Sequence, residues 1–368
     1  METYTCKFCG QTFDAEHIFE FDETMMCEDC YDEHTAICSI CEERIWADEN
    51  DGNDEITLCH RCYDNHYTNC EECGRLLPLD NAYYDDDSDY PYCRNCYERL
   101  FERTIKNYSY KPEPIFYGKN RLYFGVELEV DHGGEDNDNA ERILNVANAD
   151  TERIYAKHDG SLSEGYELVS HPLTLEYHKE IMPWADVMDT AINMGYRSHQ
   201  TSTCGLHIHV NRNGLGETYE QQEDIISRIV YFIEAHWNEL LKFSRRTEAN
   251  INRWAGRYGL SETPKETYDK AKKNNCLGRY VCLNLYNANT IEFRIFRGTL
   301  KYETFIAAIE LVDEICMRAI KMTDSEFERM CWSDFVKEID AKQKPALVNY
   351  LKSKQLYVNE INESEDEI

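Results

Sequence analysis

The sequence predicts an α+β protein in two parts: an N-terminal array of three small zinc modules, then a larger domain on a largely antiparallel sheet. Three observations predict it. Twelve cysteines form six Cys-x-x-Cys pairs on a 32-residue period within the first hundred residues. Beyond residue 121, short runs alternate apolar and charged residues, the signature of half-buried strands. Several such runs follow one another with no helix between them, which favours antiparallel pairing over the βαβ order of a parallel sheet.

The pairs group as Cys6/Cys9 with Cys27/Cys30, Cys38/Cys41 with Cys59/Cys62, and Cys70/Cys73 with Cys93/Cys96. Gaps inside the units are 17, 17 and 19 residues, and both gaps between units are 7. A two-residue spacer lets two thiolates take adjacent corners of a tetrahedron, and two such pairs complete a closed four-sulfur zinc shell. Regular spacing marks a threefold repeat, zinc-ribbon or LIM-like in type. Paired cysteines can also form a disulfide framework. The opening METYTCKFCG has neither the basic start nor the apolar core of a signal peptide. Five further cysteines (Cys204, Cys276, Cys282, Cys316 and Cys331) stand singly. Three structural Zn²⁺ ions and a reducing, cytoplasmic setting are therefore expected. His34 and His66 follow completed cysteine sets and are expected to be surface residues.

Net charge is −31. Residues 1–100 hold 26 Asp/Glu against 6 Lys/Arg. Phosphate neutralisation needs clustered basic residues, so the array is not expected to bind nucleic acid. No run reaches the roughly 18 apolar residues of a membrane span, so no membrane partner is expected. A protein or peptide partner, possibly basic, fits the field better.

The modules fill residues 1–101, each too small for a core of its own and dependent on metal for folding. Residues 102–120 carry Lys111-Pro112-Glu113-Pro114 and read as an extended linker. The domain proper is expected over 121–357. It has strands in 122–130, 153–170, 205–210 and 279–300, the last a hairpin around Asn287-Ala288-Asn289. Helices are expected over 138–149, 174–194 with a break at Pro183, 218–245 and 302–322, with two short ones in 333–356. Residues 358–368 read as an acidic disordered tail. There is no Walker loop, dinucleotide-binding glycine motif or Gly-x-Ser-x-Gly elbow.

Residues i and i+2 of a strand share a face. In Phe124–Val130 that puts Glu127 and Glu129 together, and in Gly205–Val210 it pairs His207 with His209. Glu167 stands between Tyr166 and Leu168, and Glu292 shares a face with Arg294. Any one of these strands reads as a solvated amphipathic strand; together they read otherwise. Carboxylates grouped without basic partners repel unless a cation sits among them. Such a set suits Mg²⁺ or Mn²⁺ holding a polyphosphate.

The ordered blocks FGVELE, HDGSL with GYELVSHPL, CGLHIHV and TIEFRIFRGTL resemble the amidoligase family, over about residues 121–320. These ATP-dependent carboxylate–amine ligases are related in fold to glutamine synthetase and glutamate–cysteine ligase. The resemblance implies Mg²⁺ ligands at Glu127, Glu129, Glu167, His207 and Glu292, with His209 and Arg294 beside the ATP phosphates. It implies a positioning or metal role for Asp159. Arg297 falls on the far face by strict alternation and needs a bulge to join. Arg245 and Arg246 are candidates for holding a substrate carboxylate or phosphates, or else helix-end cations. Cys204 reads as buried, not as a nucleophile. The function expected is amide formation through an acyl phosphate, with the array recruiting a protein or peptide. The alternatives are a metal-dependent hydrolase using the His-x-His strand and a non-catalytic adaptor.

Overall fold

The computed structural model describes residues 3–85, 89–101, 104–273, 278 and 280–357. The expected acidic tail and Cys276 lie outside the described residues. The chain divides into two compact units, Met1–Arg103 and Thr104–Ile368.

In the first unit each repeat opens on a short hairpin whose turn carries the first Cys pair. The hairpins are Thr3–Thr5 with Thr12–Asp14, Thr35–Ile37 with Arg44–Trp46, and Tyr67–Asn69 with Leu76–Pro78. The residue after the second Cys closes the turn in the left-handed region: Gly10, Glu42 and Gly74 have φ of 74°, 60° and 68°. Glycine takes that conformation freely, whereas Glu42 adopts it at some cost. The second Cys pair starts a helix, at Glu28–His34, His60–His66 and Arg94–Phe101, so the fourth cysteine points inward from the first turn. Little else is buried: Met26 plugs the first module and Leu58 the second. Trp46 of the second repeat packs on the core of the first and donates from Nε1 to Asp22.

The second unit is built on a seven-stranded sheet, numbered here in chain order: β1 Ile105–Lys106, β2 Phe124–Val130, β3 Ile154–Lys157, β4 Tyr166–Ser170, β5 Gly205–Asn211, β6 Leu283–Asn284 and β7 Thr290–Arg297. Spatial order is β6-β7-β5-β2-β4-β3-β1. Every pairing is antiparallel except β1 with β3. The α+β class with a largely antiparallel sheet is thus as the alternating runs predict. Val126, Leu128, Val130, Leu206, Ile208, Val210, Ile291 and Phe293 line one face and join a single core with apolar residues of the surrounding helices. The helix Tyr302–Lys321 is the central prop, with Phe305, Ile309, Val312 and Cys316 all fully buried. The break at Pro183 divides Leu175–Glu180 from Trp184–Asn193. His178 pins the break: it accepts from Trp184 Nε1 at 3.1 Å, and its own Nε2 lies 2.9 Å from the Phe124 carbonyl oxygen.

The structure corrects the sequence reading at three places. Residues 104–120 are not a free linker but part of the second unit. Ile105 is buried in β1, the Ile115 N–H donates to His171 and the Tyr117 hydroxyl donates to the Glu152 carbonyl. The Lys111–Pro114 stretch forms neither helix nor strand, and Tyr117 beyond it packs against the core. The expected helix over 218–245 breaks at His236 into Tyr219–Ala235 and Trp237–Ser244. His236 is buried against Phe232 and Trp332, so the chain turns there to keep both segments on the core. The helices Glu248–Trp254 and Pro264–Lys273 are additional, in a stretch too polar for helical periodicity to show.

The module geometry makes a direct prediction. Elemental analysis of the full chain should return three zinc ions, and Cys27→Ser should return two. In that variant the amide-exchange protection of residues 104–357 should be unchanged, because metal supplies the folding free energy of the module alone.

Candidate active site

The polar face of the sheet is assembled from cross-strand pairs. Glu129 of β2 lies opposite Glu167 of β4, which lies opposite Lys157 of β3. Glu127 faces His207 across the β2–β5 pair, and His209 faces Glu292, which faces Asn284. The His207 Nδ1 is 3.0 Å from Glu127 Oε2 and 3.7 Å from Glu292 Oε1, and its Nε2 is 3.7 Å from Glu129 Oε1. His209 Nε2 is 3.1 Å from the other Glu127 oxygen. Glu292 accepts from Asn284 at 2.7 Å and from Arg294. Glu129 accepts from the Gly205 N–H.

Burial sets the electrostatics. It pushes the Glu167 carboxyl up to about 9, helped by the Glu127 charge and opposed by Lys157 at 3.3 Å. Burial also raises Glu129. At Glu127 burial acts the same way, but His209 and His207 outweigh it and hold the carboxyl well below its usual range. Glu292 is likewise held low against burial, chiefly by His209. His209 is raised despite its burial because Glu127 and Glu292 flank it.

These residues fit a divalent cation. Glu127, His207 and Glu292 each offer a ligand atom, and the three atoms lie within 4.8 Å of one another. Ligands on one octahedral Mg²⁺ with bonds of about 2.0–2.1 Å stand roughly 2.9–4.2 Å apart, so small movements complete the shell. The fit extends to an anionic partner. Arg294 Nε and Arg297 Nε are buried donors without an acceptor among the described residues, the kind of orphan that a ligand oxyanion satisfies.

Arg297 reaches this face through a bulge. Leu206 pairs with Phe296 but Ile208 pairs with Phe293, so β7 carries one extra residue opposite His207. That residue flips the parity of the strand and sets Arg297 opposite Gly205. Arg246 arrives from the helix end: it is 8% exposed, donates twice to the Phe296 carbonyl, and is pushed down to about 10 by burial. Gly205 makes room for it, since a Cβ there would stand 2.6 Å from Arg246 Nη2 and 2.8 Å from His207 Nε2.

A cleft of about 700 Å³ opens over this face, lined by Glu127, Asp159, Glu167, His207, His209, Glu292 and Arg294. A recess of about 30 Å³ adds Glu129, Arg246 and Trp254. An apolar cavity of about 380 Å³, with Phe116, Tyr123 and Pro172, shares His209 and Thr290 with the cleft. Arg245 does not join this group. In a left-handed conformation, φ 63°, it reaches His199 and the Arg297 carbonyl and lines a different cleft. Cys204 is 3% exposed and its thiol is pushed up to about 12 by burial, which suits a packed thiol and not a nucleophile.

Several liners escaped the sequence reading, Lys157, Asn284, Tyr108 and Lys111 among them. Lys157 was legible, because Ile154–Lys157 alternates and places it with Tyr155. Asn284 sits on a two-residue strand too short to show alternation. Tyr108 and Lys111 come from the segment read as linker, and nothing in their own sequence marks them.

The cysteines form three groups, Cys6/9/27/30, Cys38/41/59/62 and Cys70/73/93/96, each closed within its own repeat. Sulfur separations of 3.8, 3.7 and 3.8 Å span the pairs in the three modules. A tetrahedral Zn–S bond of about 2.3 Å sets S···S near about 3.8 Å, so the groups fit zinc. Burial pushes the first thiol of each set up, but backbone N–H groups bring Cys6, Cys38 and Cys70 down to about 6, ready to ligate. His34 stacks on Phe8 outside the set.

Residues 145–316 match the model of a family described as "Putative amidoligase enzyme". The second unit carries an amidoligase-like segment. It holds Asp159, Glu167, both histidines, Glu292 and the arginines; the amidoligase match begins beyond Glu127 and Glu129, which complete the site from β2. No curated protein matches the chain. Among solved structures it is similar to a bifunctional glutathione synthetase from Pasteurella multocida, at 11% identity and a TM-score of 0.34. That alignment covers 63% of this chain and 46% of the other, so this chain spans less than half of that protein. A likeness of that strength carries no argument about activity. No described helix is long and apolar enough to cross a membrane.

Two measurements check the site. Millimolar Mn²⁺ or Mg²⁺ should raise the melting temperature of the protein, and Glu127→Ala or Glu292→Ala should abolish that rise. Binding at about 100 times Kd adds about 2.7 kcal/mol to the folded state. Gly205→Ala should weaken the same metal response about tenfold or more, although it removes no ligand, because its Cβ displaces Arg246 and His207.

Proposed function

We propose that the second unit is an ATP-dependent carboxylate–amine ligase, and that the zinc array presents its protein or peptide substrate. One observation carries the reading: carboxylates, imidazoles and Arg294, whose Nε has no acceptor among the described residues, converge on a single sheet face above an open cleft. Joining a carboxylate to an amine is uphill in water, so the carboxylate must first be activated. The γ-phosphoryl of ATP passes to a carboxylate oxygen as ADP leaves. An amine then attacks the acyl carbon, and phosphate departs as the amide forms and the amine sheds its proton.

Such chemistry asks a protein for positioning and charge neutralisation more than for covalent help. Mg²⁺ or Mn²⁺ held by Glu127, His207 and Glu292, with Glu129 and Glu167 beside them, would supply neutralisation of the polyphosphate. Arg294, Arg297 and Arg246 bring planar donors to the same face from β7 and the helix end. The apolar cavity beside His209 has the size and lining for a nucleobase. His209, shared by that cavity and the cleft, then lies where the phosphates would pass. The array, with 26 Asp/Glu against 6 Lys/Arg over residues 1–100, would attract a basic segment of the substrate.

The geometry favours a ligase over a hydrolase. A hydrolytic His-x-His centre leaves Glu129, Glu167 and the arginines without a task. The test is phosphate release from ATP by purified protein with pooled carboxylates and amines. Stimulation by a carboxylate–amine pair is expected, and its absence with every pair tried would sink the reading. Arg294→Lys should keep the melting temperature but slow ATP-dependent turnover about 10²–10³-fold, because a point charge replaces a planar fork.

A further inference from the structure

A second cleft, of about 350 Å³, lies where the Ser198–Cys204 loop, the end of the helix Trp237–Ser244 and the start of the helix Tyr302–Lys321 meet. Arg197, His199, Arg245 and Lys301 line it, and among the described residues no Asp or Glu does. That is unusual here, because the chain carries 70 Asp/Glu against 39 Lys/Arg. Cations on such a protein readily find carboxylates, as Arg153, Arg228, Arg257 and Arg318 do. Among the described residues none of Arg197, Arg245 and Lys301 forms an ion pair with a carboxylate. Their positive charge is left uncompensated around one hollow.

The hydrogen bonds around the hollow are built to present donors. Arg245 donates to His199 Nδ1 at 2.9 Å, which fixes that ring as an acceptor on one side. Its hydrogen then sits on Nε2, a second donor. Burial first, then Arg245, keeps His199 below its ordinary range and so in that neutral form. Arg245 also donates to the Arg297 carbonyl at 3.0 Å, while its Nε is buried without an acceptor among the described residues. Its left-handed backbone, φ 63°, is a conformation that a non-glycine residue adopts only when its surroundings enforce it. Thr299 and Thr304 contribute hydroxyls to the wall, and the first turn of a 20-residue helix adds its positive end.

We propose that this cleft is an oxyanion-binding site, distinct from the metal cleft, that takes the carboxylate or phosphate group of a small molecule. Arg245 is its anchor, and Arg197 and Lys301 add their charges to the same lining. The two clefts share no lining residue. They are joined through the backbone of β7, since the Arg297 carbonyl carries Arg245 while the Arg297 side chain belongs to the sheet face. The site stands or falls on its own and does not depend on the ligase reading.

The experiment is calorimetric titration of the zinc-loaded full chain, at constant ionic strength and without added Mg²⁺ or ATP, using inorganic phosphate in one arm and succinate in the other. Saturable binding is expected in at least one arm, and the arm that saturates identifies the source of the oxyanion. Arg197→Gln with Lys301→Gln, at two exposed positions that leave the fold intact, should weaken it about tenfold or more, since each charge-assisted bond contributes about that factor. Glu127→Gln should leave it unchanged. Absence of saturable binding in both arms would overturn the proposal, as would binding that the double variant leaves intact. A change of affinity in Glu127→Gln, in either direction, would place the anion in the metal cleft and overturn it equally.

Discussion

The second unit is organised by repulsion. Glu129 and Glu167 are 3% and 4% exposed and stand directly opposite each other on neighbouring strands. Two carboxylates taken out of water at that spacing cannot both ionise without a counter-charge. The protein supplies part of that charge as Lys157, His209 and Arg294, and the remaining deficit is what a bound cation would fill. Everything that holds the strands in register therefore holds the site, and any slip by one residue would carry these groups into the core.

The apolar half of the same strands makes that arrangement tolerable. Val126, Leu128, Leu206, Ile208 and Phe293 alternate with the site residues and are all buried to 1% exposure or less. Their packing against Tyr302–Lys321 and its neighbours fixes the backbone more firmly than the polar face could. A site whose ligands sit on sheet strands is rigid in a way that a loop site is not. The β-bulge in β7 is the one place where this regularity is broken, and it delivers Arg297 to the face it would otherwise leave.

The zinc array follows the opposite design. Among the described residues each module buries one apolar side chain beside its cysteines, Met26, Leu58 and Leu77 in turn, so four sulfur ligands take the place of a core. Trp46 then ties the second module to the core of the first, giving neighbouring repeats an interface that neither has alone. The array is also strongly acidic, with 26 Asp/Glu against 6 Lys/Arg over residues 1–100.

How much of this was legible in the sequence follows from the range of the interactions. The three cysteine sets are local and periodic, so spacing alone grouped them within repeats. Alternation in LYFGVELEV, GLHIHV and TIEFRIFRG is also local, and it told which residues share a face. Facing is not neighbouring, however. That Glu127 meets His207 and that Glu292 meets His209 are facts of strand order across 80 residues of chain, set by which apolar faces pack best together. Tyr108 and Lys111 entered the cleft because Ile105 found a place in the sheet, and Arg245 left it because one left-handed residue turned the chain. Sequence by itself determined the residue types of the site and the faces they occupy. Tertiary structure decided which of them meet, because register, bulges and chain reversals are fixed by packing over distances that no local pattern records.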